Sequence, residues 1–178
     1  MKSFYKKSNR GPARNACRIA TAGGFTLVEV IVACAIITSS IFAVMSAAEK
    51  GITVSQDALK QMQGSLLLEE GAEAVKSIRD ASWTNISGLT LGSTYYLSYN
   101  NTTNLWSLST TPTSTIDSTF TRTVTLAAVS RDTNDDIVSS GGTVDSRTKQ
   151  ITITLSWSDS PGVTITKTLS FYIADIFT

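Results

Sequence analysis

Histidine is missing from all 178 residues, which removes the commonest general base and the commonest metal ligand together. No grouping of Ser, Lys and acidic residues has a spacing that suggests catalysis, so an enzyme is not expected; no catalytic residue, cofactor or metal ligand is assigned. Cysteine is nearly absent. Cys17 and Cys34 both lie early, so residues 35–178 can form no disulfide of their own and must stand on packing and hydrogen bonds. Acidic residues are absent from the first 24 positions, where Lys2, Lys6, Lys7, Arg10, Arg14 and Arg18 stand unopposed. From residue 25 onward, nine basic residues face fourteen acidic ones, so the net charge of +1 hides two opposite halves. That acidic remainder offers no broad basic field for phosphate, and no nucleic-acid partner is indicated.

The longest feature present is apolar. Residues 25–48 are dominated by Val, Ile, Ala, Phe and Leu with one charge, Glu29, and end at the polar group Glu49-Lys50-Gly51. As a helix this run spans about 36 Å, more than the ~30 Å of a bilayer core. The basic residues before it place the N-terminus in the cytoplasm and the bulk of the chain outside.

Three readings compete for this run. A secretory signal has an apolar core of about 7–15 residues with the cut after it, whereas this run is longer and carries Glu29 near its start. A lipoprotein signal is suggested by Ile31-Val32-Ala33-Cys34, but the chain stays apolar from Ala35 to Ala48 instead of becoming a polar tether. A membrane-anchored or lipidated surface-binding protein, acylated at Cys34, is kept as the alternative. The third reading accounts for Gly23-Gly24 followed by Phe25-Thr26-Leu27-Val28-Glu29-Val30. That stretch resembles the prepilin-type signal of type IV pilins and the pseudopilins of type II secretion.

The resemblance implies several things at once. A prepilin peptidase and methyltransferase would cut between Gly24 and Phe25 on the cytoplasmic side and methylate the new amino group of Phe25. Glu29, a carboxylate in a membrane segment and costly unless neutralised, would pair with the amino terminus of a neighbouring subunit. Other pilin or pseudopilin subunits, an assembly platform and an ATPase are the remaining implied partners. The product would sit in the cytoplasmic membrane before assembly and in an extracellular or periplasmic filament afterwards.

Beyond the run, residues 51–80 read as an amphipathic helix with Leu59, Met62, Leu66, Leu68, Ala72, Val75 and Ile78 as one apolar stripe. Gly51, Gly64 and Gly71 mark points where it could bend, and no proline interrupts the stem. Residues 81–118 form a connecting region in which Asp80–Ser93 is a turn, Trp83 folds back over the helix end, and Tyr95–Tyr99 and Leu105–Leu108 are short strands. Residues 119–178 alternate: Phe120, Val124, Leu126 and Ala128; then Ile151, Ile153, Leu155 and Trp157; then Val163, Ile165, Leu169, Phe171 and Ile173. These are half-buried antiparallel strands, with a turn at Ser158–Gly162. The organisation is a leader over 1–24, a stem over 25–50 and a head over 51–178. The fold class is α+β, a helix stripe on a sheet face; the resemblance implies the pilin fold.

Other signals are weaker. Asp132, Asn134 and Asp136 have the alternate spacing of a calcium loop, but Ile137 replaces the turn glycine and no Glu follows, so a solvated hairpin loop is expected. The triplets starting at Asn85, Asn100 and Asn101 fit glycosylation sequons and read as loop polarity. Tyr95, Tyr96, Tyr99 and Trp106 suggest either an aromatic patch or core.

Overall fold

The computed structural model describes residues 23–113, 115–160 and 162–176. Residues 1–22, with Cys17 and the six basic residues, lie outside them, as does Pro161 of the predicted turn. The chain divides into two compact units between Ala48 and Glu49.

Helix α1 runs over Leu27–Ala81, 55 residues, and belongs to both units. Thr26 caps it: its hydroxyl accepts from the Glu29 amide at 3.3 Å and its carbonyl from the Val30 amide at 3.2 Å, which occupies two of the donors that a helix start leaves open. Every residue of α1 up to Ala48 is exposed. Three hydroxyls within this apolar stretch have acceptors in the helix itself. Thr38 Oγ1 donates to the Cys34 carbonyl at 2.9 Å, and Ser39 and Ser40 donate to that of Ile36 at 2.9 and 2.8 Å.

In the second unit α1 buries Gly64, Leu68, Gly71, Ala72, Ala74, Val75 and Ile78. Gly64 and Gly71 let it approach the sheet closely: a Cβ on Gly64 would lie 3.2 Å from the Trp157 ring, and one on Gly71 3.2 Å from Arg122 Cδ and 3.3 Å from Ile153 Cδ1. Past Ala81, the expected turn contains a short helix α2, Thr84–Ser87, whose Ile86 is fully buried while Trp83 packs against the core. Asn85 Nδ2 reaches back to the Ile78 carbonyl at 3.3 Å, which also accepts from the Ser82 amide at 3.3 Å, so the short helix is tied to the end of α1.

The strands are β1 (Thr94–Asn100), β2 (Leu105–Ser109), β3 (Thr121–Arg131), β4 (Ile137–Val138), β5 (Thr143–Ser160) and β6 (Val163–Ala174). They form one antiparallel sheet in the order β2-β1-β3-β5-β6, with β4 paired to the end of β3. Since β3 pairs with β1, the chain from β2 to β3 must cross to the other edge of β1. Period-two alternation sends Tyr95 and Leu97, Val124 and Leu126, and Ile151, Ile153, Leu155 and Trp157 into the core. The opposite face is hydroxyl-bearing: Thr125 pairs with Thr152, which pairs with Ser170, and Thr123 with Thr154 and then Thr168.

Ala128 departs from the expected alternation. The β3–β5 register shifts between Ala128, which faces Lys149, and Val129, which faces Asp145, so residues 146–148 of β5 bulge out of the ladder; at this irregularity Ala128 is exposed and Val129 is buried instead. The reversal from β4 into β5 needs Gly142, at φ 75°, because a Cβ there would collide with the Arg131 carbonyl.

Arg131 ties this corner together. Its Nε donates to Asp145 Oδ2 at 2.8 Å and its Nη1 to the Asp135 carbonyl at 2.7 Å. The Thr148 hydroxyl, the Arg131 guanidinium and the Arg147 amide hold the Asp145 carboxyl down at about 2, from an ordinary 3.8. A depressed folded-state pKa stabilises the fold above the unfolded value, and that contribution is lost as pH falls from 3.8 toward 2. Wild type is therefore expected to exceed Asp145→Asn by about 1 kcal/mol at neutral pH, after a discount for screening at this rim position. Melting curves of both proteins over an acid series should show the gap closing across that window. A pH-independent gap would mean the carboxylate is not held this way.

Candidate functional sites

Gly24, Phe25 and Glu29 lie together at the start of α1. Among the described residues, nothing lies within 4 Å of where a Cβ on Gly23 or Gly24 would stand. Phe25 is 82% exposed. The Glu29 side chain is exposed and has no hydrogen-bond or ion-pair partner among the described residues. Its amide serves the Thr26 cap, which sequence reasoning missed although Thr26-x-x-Glu29 has the spacing of a capping box. That cap explains why the helix starts here. It uses only the backbone of Glu29 and leaves the carboxylate unengaged. Cys34 is exposed with a free thiol.

By length and composition α1 can cross a membrane, and none of its most apolar window is buried. The head's part of α1 carries a second exposed set: Ile52, Leu59, Met62 and Leu66, each more than half exposed. At about 100° per residue these fall on the side of the helix opposite Gly64, Leu68, Gly71 and Val75. The single stripe read from sequence is therefore two faces, one on the sheet and one uncovered. The signal was the step from Leu66 to Leu68, two residues or about 200°, which crosses the helix.

A separate cleft of about 330 Å³ opens in the head, lined among others by Glu70, Leu97, Tyr99, Trp106, Ile116 and Arg122. Among its lining residues is Arg122, which sequence reasoning did not single out. Arg122 occupies an inward position of β3, and its side chain is only 5% exposed. Nη1 donates to the Leu67 carbonyl at 2.7 Å, Nη2 reaches Glu70 Oε1 at 3.4 Å, and the guanidinium carbon lies 5.7 Å from the centre of the Trp106 ring. Tyr99 and Trp106 face each other across the β1–β2 ladder with ring centres 5.0 Å apart. The aromatic set divides accordingly: Tyr95 is core, its hydroxyl accepting from the Thr90 amide at 2.8 Å, while Tyr99 and Trp106 border the cleft.

At the β3–β4 loop, Asp132 Oδ1 accepts from the amides of Asn134 and Asp136 at 2.8 and 3.0 Å. The carboxylate is turned into its own loop, and among the described residues no group of three His, Cys, Asp or Glu side chains is placed to hold a metal ion. Asn100 Oδ1 likewise accepts from the Thr102 and Thr103 amides within the β1–β2 turn.

The described residues thus define an α+β protein with one long N-terminal helix, apolar and exposed in its first part, and an antiparallel sheet against which the later part of that helix packs. No family model, curated protein or solved structure matches the chain.

Proposed function

We propose that this chain is a structural subunit of a type IV pilus or pseudopilus-like filament, with the pilin fold. It is held in the cytoplasmic membrane by residues 25–48, cleaved after Gly24, methylated at Phe25 and assembled by packing of N-terminal helices. The observation that carries this reading is the stem itself: an apolar helix exposed along its whole length and broken by one charge, Glu29, whose carboxylate has no partner among the described residues. In an apolar surrounding such a charge must be neutralised, and a neighbouring subunit's new amino terminus supplies the opposite charge where helices pack side by side. Lipid before assembly and neighbouring stems afterwards are alternative covers for the same surface.

The test is the intact mass of the mature protein from membranes of a host that processes prepilins. A mass beginning at Phe25 and increased by one methyl group is the expected result. A diacylglycerol-modified chain beginning at Cys34, or an unprocessed chain, would overturn the proposal.

A further inference from the structure

We propose that the cleft beside Arg122 is a binding site for a neutral sugar ring. This does not depend on the filament reading.

Three observations point to it. Arg122 is a buried cation with five N–H donors, of which the described residues engage two, at Leu67 and Glu70; its Nε is buried without a partner among them. A buried guanidinium that is so sparsely paired is unusual and gains from an added acceptor. Second, the charges bordering the cleft cancel. An anion drawn to Arg122 would meet the Glu70 carboxylate, which lies 3.4 Å from Nη2 and is about half exposed. A cation drawn to Glu70 would meet Arg122. A vicinal diol does neither, since one hydroxyl accepts from the guanidinium while the next donates to the carboxylate. Third, the walls are aromatic and apolar. Tyr99 is 43% exposed, Trp106 is half-buried, and Leu97 and Ile116 complete the lining. The C–H faces of a pyranose stack on such rings, while the exposed Thr113 and Thr115 add hydroxyl partners at the rim. At about 330 Å³ the space lies at the small end of ligand pockets, roughly 300–1,000 Å³, and suits one ring rather than a folded peptide.

The experiment titrates the full chain, in a detergent without a sugar headgroup, with glucose, galactose, mannose and N-acetylglucosamine, following tryptophan fluorescence. At least one should give a saturable change with a Kd in the millimolar range. Glu70→Gln and Tyr99→Ala, both at exposed side chains, should each weaken binding about tenfold with unchanged circular dichroism. Methyl glycosides binding as well as free sugars would point to the terminal unit of a glycan, and preference for the free sugar to a monosaccharide; both support the site. Absence of saturation with all four sugars would overturn the proposal. So would unchanged affinity in both variants, or tighter binding of acetate or glucuronate than of any neutral sugar.

Discussion

Replacing Leu59 and Met62 together by Glu is expected, on the filament function proposed above, to keep the chain out of filaments while leaving the head as stable as before. Both side chains point away from the sheet and are already more than half exposed, so charging them disturbs no core contact. In a monomer the change exchanges apolar surface for water-compatible surface. Against a neighbouring helix it would bury two carboxylates without partners, at a cost of several kcal/mol each, more than a packed helix contact returns. The measurement pairs filament yield after shearing with the melting temperature of the unassembled protein. Yield should fall at least tenfold, and melting should shift by no more than a degree or two. Normal yield would show that this face is not covered in the proposed filament, and a large loss of melting temperature would show that it belongs to the head's own core.

Gly71→Leu should act in the opposite way, through the fold. The space beside Gly71 is already taken by Arg122 and Ile153, and even a Cβ would come within 3.3 Å of both. A whole isobutyl group must push α1 off the sheet or drive Arg122 from its place under Trp106, so a loss of about 3 kcal/mol, or roughly 10 °C in melting temperature, is expected. Gly71→Ala separates bulk from backbone effects. Its gain in helix propensity, about 1 kcal/mol, is set against the modest shift its Cβ demands, and it should stay within about 1 kcal/mol of wild type. If the leucine variant melts like wild type, α1 does not approach the sheet closely at Gly71.

Much of this arrangement was legible in the sequence because it rests on periodicity. The stem could be read from twenty-four residues with one charge, and the inner strands from the spacing of Ile151, Ile153, Leu155 and Trp157, since apolar side chains every second residue have few other stable solutions. What escaped were features that periodicity averages away. The bulge on β5 shifts the register opposite β3 without a residue type to announce it, which misplaced Ala128. Gly64 and Gly71 carry the same letter whether they loosen a helix or admit a sheet, and only the facing side chains decide which. Arg122 drew no notice among the alternating residues of its strand. It is the residue on which the cleft is built, because Leu67 and Glu70, more than fifty positions earlier, supply its partners. Such a pairing leaves no mark on either local sequence.

The hydroxyls of Thr38, Ser39 and Ser40 have a consequence for reversibility. Each is bonded to a carbonyl of its own helix, so moving that segment from lipid into a protein interior, or back, breaks no hydrogen bond at these positions. On that count the two surroundings are close to equivalent. Whatever gives such a transfer its direction must come from charge at Glu29 or from work done outside the segment, and the apolar helix itself would permit travel either way.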